Sequence, residues 1–258
     1  MPSSASTSLA PAAPRLYVAL DTADRDRAAT LAANLDPETA GLKLGKEFFT
    51  AQGPAGVRAV AGQHALFLDL KFHDIPNTVA GAVRAATALG AHVINVHAAG
   101  GAAMMRAAGD AATQAAEAHG VPRPDVLAVT VLTSLDDADL AAVGQATPVA
   151  EQVGRLARLA AESDLDGVIC SPRELADLRR ARGPGFRLVV PGVRPAWAAA
   201  GDQKRVLTPG EAIAAGADAI VVGRPITDAP DPGAAARAVL DEIAEAAEAR
   251  GGVGDEHD

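Results

Sequence analysis

Short apolar runs alternate with longer alanine-rich stretches of helical period from residue 16 to residue 249, the pattern of repeated strand-helix units on a parallel sheet. Eight short runs read as strands: 16–21 (LYVALD), 41–45 (GLKLG), 64–71 (HALFLDLK), 92–98 (HVINVHA), 125–133 (DVLAVTVLT), 167–171 (GVICS), 187–193 (RLVVPGV) and 219–224 (AIVVGR). Helical stretches fill the gaps, among them 77–89, 101–119, 148–163 and 233–249, and Thr147-Pro148 reads as a cap followed by a first-turn proline. Eight such repeats in about 250 residues predict a closed (β/α)8 barrel, a single α/β domain over 15–250. A doubly wound open sheet is the alternative, but VALDTADRDR stands after the first strand where that fold needs a GxGxxG turn.

The alternation within the strands says where polar groups collect. In the third strand Phe67, Asp69 and Lys71 share one face and Leu66, Leu68 and Leu70 the other, which turns the polar set toward the barrel axis. Asp21 ends the first strand, and Lys43 lies between outward-facing Leu42 and Leu44 in the second. Two carboxylates and two ammonium groups thus converge at the C-terminal strand ends, where barrel enzymes keep their sites. Such a cluster is costly to bury unless it is paired. A purely structural salt-bridge network is the bland alternative, and four charges on three strand ends favour function.

Composition narrows the chemistry. The 258 residues are 49% hydrophobic with no apolar run of membrane-spanning length, so a membrane role is not expected. A net charge of -9 and 3% aromatic residues argue against nucleic acid, which needs a cationic surplus or stacking platforms. A single cysteine, Cys170, can form no internal disulfide and points to a reducing compartment, the cytoplasm by default. It reads as a buried small hydrophobe, since no base accompanies it. Residues 1–14, rich in Ser, Ala and Pro, read as a disordered leader and not a secretory signal, and 251–258 as a flexible acidic tail. Asp136-Asp137-Ala138-Asp139 reads as a solvated helix start.

The run Asp69-Leu70-Lys71-Phe72-His73-Asp74-Ile75-Pro76-Asn77-Thr78 resembles the signature of the orotidine 5′-phosphate decarboxylase family, whose members complete UMP synthesis. The resemblance continues through Asp21, Lys43, Leu132-Thr133-Ser134, Pro191-Gly192-Val193-Arg194-Pro195, Gly201-Asp202-Gln203-Lys204-Arg205 and Gly223-Arg224-Pro225, roughly residues 16–228 in the family's order. It implies decarboxylation at C6 of the pyrimidine with no cofactor and no metal. Asp69 would lie against the substrate carboxylate, and Lys71 would stabilise the developing carbanion and protonate it. Lys43 and Asp21 would fix the ribose hydroxyls. Asp74, with Ile75 and Thr78 beside it, would serve the site of a partner subunit in a homodimer, although packing and capping at a helix start are nearly as good a reading of Ile75 and Thr78.

A (β/α)8 barrel commonly holds phosphate after the seventh and eighth strands, where this chain has Arg194, Gly223 and Arg224, with Arg224 preferred, and the resemblance implies the remaining substrate contacts. Residues 195–203 would close over the substrate, Gln203 bridging phosphate and base while Thr133 and Ser134 meet the pyrimidine. Trp197, within that stretch, receives no role. His97, inward-facing with Asn95, reads as a hydrogen-bonded support, and His73 as structural. The runner-up is a magnesium-dependent sugar-phosphate decarboxylase or synthase of the same superfamily, but that branch carries a glutamate in the second strand, in the region where this chain has Lys43. A non-catalytic nucleotide-binding barrel is the third reading.

Overall fold

The computed structural model of the protein describes residues 14–198 and 207–251. The expected leader apart from Pro14, the tail from Gly252 onward, and Gln203 all lie outside the described residues.

Eight parallel strands close into a barrel in sequence order, the last pairing with the first. They are β1 (Leu16–Ala19), β2 (Ala40–Gly45), β3 (Leu66–Phe72), β4 (Ala91–His97), β5 (Asp125–Val129), β6 (Gly167–Ile169), β7 (Arg187–Pro191) and β8 (Ala219–Val222). Around them run α1 (Arg25–Ala33), α2 (Lys46–Ala61), α3 (Pro76–Thr87), α4 (Ala102–His119), α5 (Asp137–Ala142), α6 (Val149–Ala161), α7 (Leu175–Arg182), α8 (Pro209–Ala214), α9 (Arg224–Thr227) and α10 (Pro232–Gly251). The (β/α)8 expectation therefore holds. Several strands stop short of their apolar runs: β5 ends at Val129, before Val131, and β7 at Pro191, before Val193. Val131 and Val193 are still buried, so hydrophobicity continues past the point where strand pairing stops.

Alternation sorts the core into two layers. Tyr17, Phe67, Val93, Leu127, Ile169, Val189 and Val221 fill the barrel interior. Leu42, Leu44, Leu66, Leu68 and Leu70 face outward against the helices. Tyr17 and Phe67 meet edge to face with ring centroids 5.7 Å apart. The Tyr17 ring fits because position 41 is glycine; a Cβ there would stand 2.6 Å from the ring. Cys170 is buried, and burial pushes its thiol well above the ordinary range, consistent with a packing role.

One local expectation fails. Pro148 is the N-cap of α6 rather than its first residue, after a cis Thr147-Pro148 bond, and it provides no side-chain cap. The cap comes from a distance: the Val149 N–H donates to Asp137 Oδ1 at 2.6 Å. The acidic run is the expected helix start, with Asp136 and Asp139 forming a capping box on α5, but Asp137 is turned to the next helix. That contact depends on the fold bringing the two helix starts together, so local sequence does not announce it.

Candidate active site

The charged residues within or just after β1, β2 and β3 form one chain at the barrel mouth, Asp21 lying two residues past the end of β1. Lys43 Nζ lies 3.0 Å from Asp21 Oδ1 and 3.2 Å from Asp69 Oδ2, and Lys71 Nζ lies 2.5 Å from Asp69 Oδ1. Signs alternate along Asp21, Lys43, Asp69 and Lys71, so each inner charge has a neighbour of opposite sign on both sides. The side chains of Lys43 and Asp69 are each only 11% exposed, whereas Asp21 opens to solvent. Burial works against both inner charges, yet pairing wins. Lys43 is held above its ordinary value by Asp69 and Asp21, and Asp69 below its own by Lys43 and Lys71. Both are ionised at neutral pH.

Lys71 lies within β3 but breaks its extended backbone. Its φ is +50°, the left-handed region, where a non-glycine residue costs about 1–3 kcal/mol. The expected alternation therefore holds through Leu70 and breaks at Lys71, which reaches Asp69 by a backbone turn and not by strand period. The partner that fixes this turn is Asn95, in the middle of β4. Its Oδ1 accepts from the Lys71 N–H and its Nδ2 donates to Asp69 Oδ1, both at 2.7 Å. From the sequence Asn95 is only an inward neighbour of His97, and the supporting role falls to His97. The signal was present: a carboxamide between Ile94 and Val96 on the barrel-facing side of a strand needs a polar partner. His97 instead lies beside His73, ring centroids 5.3 Å apart, and burial, His73, Lys46 and Lys71 push it down to about 4.

Asp21, Lys43, Asp69 and Lys71 line a cavity of about 300 Å³ that also takes in Phe67, Pro191, Gly192, Arg194, Gly223 and Arg224. Gly192 turns the chain out of β7 with φ +78°, and Arg224 opens α9 directly after Gly223. A Cβ on Gly223 would sit 3.9 Å from Asp21 Oδ2, so this backbone borders the ionic chain itself. Two arginines thus stand at the β7 and β8 ends and an ammonium–carboxylate chain at the β1 to β3 ends. The cavity suits a ligand with an anionic group at one end and a reacting centre at the other.

Thr133 and Ser134 are exposed and line a neighbouring, larger cavity that shares Pro191 and Gly192 with the first. Asp74, Ile75 and Thr78 are exposed just before and within the first turn of α3 and do not line the cavity of their own chain. Ile75 is the N-cap residue of α3 and is 66% exposed.

The sequence profile of the Orotidine 5′-phosphate decarboxylase / HUMPS family matches residues 14–239. The chain belongs to this family. A protein from Paramagnetospirillum magneticum named orotidine 5′-phosphate decarboxylase is 55% identical over 88% of this chain and 97% of its own length. Another of that name, from Rhodospirillum rubrum, is 56% identical over 88% of this chain and 93% of its own length. A crystal structure of orotidine 5′-phosphate decarboxylase from Lactobacillus acidophilus superposes with a TM-score of 0.78 at 40% identity, covering 90% of this chain and 99% of that one. Orotidine 5′-phosphate decarboxylase relatives at this identity favour the carboxy-lyase branch. Lys43 agrees, because its ammonium stands between Asp21 and Asp69 where a metal-using site would want a carboxylate.

Proposed function

We propose that the chain is a homodimeric orotidine 5′-phosphate decarboxylase of the cytoplasm that converts its substrate to UMP and CO2 without cofactor or metal. The observation that carries this reading is the Asp21–Lys43–Asp69–Lys71 chain opening on a cavity that ends in Arg194 and Arg224. The phosphate binds the backbone at Gly223 and the side chains of Arg194 and Arg224, whose guanidinium forks match phosphate oxygens. The ribose hydroxyls meet Asp21 and Lys43. The pyrimidine lies toward Thr133 and Ser134, with Gln203 joining base and phosphate.

This places C6 beside Asp69 and Lys71. The Asp69 carboxylate faces the substrate carboxylate, an unfavourable ground-state contact that weakens as charge moves to C6. The C6–carboxyl bond breaks, CO2 leaves, and the electron pair remains on C6. Lys71 stabilises that pair electrostatically and delivers a proton to C6, regaining one from solvent. Lys43 keeps Asp69 ionised throughout.

Asp74, Ile75 and Thr78 complete the site of the partner subunit. Their exposure outside their own cavity supports this, and an isologous dimer would repeat the exchange at both sites. Ile75, 66% exposed on the single chain, would be covered there.

The test is the absorbance of orotidine 5′-phosphate followed over time with purified protein, with and without a metal chelator. Loss of the orotate-type band that survives chelation is expected. Activity abolished by chelation and restored by magnesium would instead favour the sugar-phosphate branch.

A further inference from the structure

We infer that Asn95 is a positioning residue for this reaction: its one carboxamide fixes the backbone of Lys71 and the carboxylate of Asp69 together, and so sets where the Lys71 ammonium stands. The inference rests on the reading of Lys71 as proton donor.

The strand pairing shows why one side chain does both. β3 and β4 pair at Leu68 with Ile94 and next at Phe72 with Val96, so Asp69, Leu70 and Lys71 stand opposite Asn95 alone. Two extra residues bulge from β3 at this point, and the ladder cannot satisfy the Lys71 N–H. Asn95 Oδ1 accepts that N–H, and its Nδ2 donates to Asp69 Oδ1, both at 2.7 Å. The two bonds also fix the amide itself, since only oxygen can meet the N–H and only nitrogen the carboxylate. Asn95 is fully buried, so neither bond has water to replace it. Lys71 Nζ shares Asp69 Oδ1 with the Asn95 amide. Without the carboxamide, nothing at β4 holds Lys71 in the left-handed region, and relaxation to extended backbone would swing its Cβ and ammonium away.

The experiment compares the wild type, Asn95→Ala and Asn95→Asp, each checked for folding by circular dichroism and for UMP binding. Asn95→Ala is expected to lower kcat roughly 10²-fold, the usual cost of misplacing a reacting group by about 1 Å. Its KM should stay within about threefold, because the phosphate and ribose contacts remain. Asn95→Asp keeps an acceptor for the Lys71 N–H but sets a second carboxylate against Asp69. The acid limb of its kcat profile should therefore move to higher pH.

A folded Asn95→Ala whose kcat stays within about threefold of wild type would overturn the inference. So would an unmoved acid limb in Asn95→Asp, and that measurement decides the matter if the alanine variant does not fold. If the wild type itself leaves orotidine 5′-phosphate unchanged, the functional reading has failed, and crystal structures of the wild type and the two variants then judge Asn95 separately. Lys71 leaving the left-handed region in Asn95→Ala, or its ammonium leaving Asp69 in Asn95→Asp, supports the positioning role. Lys71 unmoved in the variants refutes it.

Discussion

At the floor of the barrel Arg187 pairs with Asp125 at 2.5 Å, Arg179 with Asp218 at 2.6 Å and Arg123 with Asp166 at 2.8 Å. At the mouth Lys43 and Lys71 alternate with Asp21 and Asp69 over similar distances. The two ends differ in what the charges hold. Asp166 also accepts the Val126 N–H, Asp218 the Leu188 N–H, and Arg179 donates to the carbonyls of Gly183, Phe186 and Gly216. These floor groups tie strand starts to loops, and a guanidinium cannot give up its proton. In its ionic chain the mouth uses ammonium groups, which can, and it leaves one side of that chain open to a cavity. Burial of charge is thus common to both ends. The type of cation and the open side separate a site from a fastening.

Lys71→Ala breaks the mouth with the largest expected effect. It should reduce kcat by at least about 10⁴-fold, near 5.5 kcal/mol of transition-state stabilisation. UMP affinity should hold, and stability should not fall. A residual rate within tenfold of wild type would remove Lys71 from the chemistry. Arg179→Ala does the reverse at the floor. Unpairing Asp218 and three carbonyls should lower unfolding free energy by about 3–5 kcal/mol in urea titrations, with kcat of the folded enzyme unchanged. A loss of kcat without loss of stability would erase the distinction between the two ends.

The difference also explains what sequence could tell. The barrel was legible because eight apolar runs with helical spacers leave few alternatives; Lys43 and Asp69 were legible because strand period points them inward, and Asp21 because it ends the first apolar run. Gly41 against Tyr17 and Asp137 on the start of α6 were not, because each depends on a neighbour far along the chain. Asn95 is legible as an inward polar residue but not as the partner of Lys71. Its importance comes from the bulge that leaves Lys71 with φ +50°, and no periodicity encodes a bulge. The expectation for Gln203 lies outside the described residues.

Subunit mixing sharpens the comparison at an intermediate size, since in this reading only the mouth borrows from a partner. Asp74→Ala alone should cost roughly 10²-fold in kcat, as loss of one charged group aimed at a reacting centre does. Mixed and reassembled with Lys71→Ala, it should recover about a quarter of wild-type activity. Half of the dimers would be mixed, and each of those would hold one site with both residues intact. No recovery from two folded, exchanging variants would place Asp74 in the site of its own chain, or in none.

The smallest effect is read within a single strand, because β4 carries a histidine at each end. Burial lowers both, but the remaining influences differ in sign. At the floor His92 is pulled back up by the Gly90 carbonyl and Asp125, and at the mouth His97 is pushed further down, to about 4, by His73, Lys46 and Lys71 against Asp69. An unfolded histidine takes up its proton near pH 6.5, so between about 6.5 and 4 the unfolded chain binds a proton that folded His97 refuses. The stability associated with neutral His97 is complete above pH 6.5 and is lost as pH falls toward 4. Discounted for partial exposure, that loss should be about 1–2 kcal/mol. Urea titrations at pH 7.5 and 4.5 should show the wild type losing this much more than His97→Asn. Equal losses in the two proteins would mean that burial and the charges around His97 do not together hold it neutral, and the mouth would then differ from the floor only in its ammonium cations and its cavity.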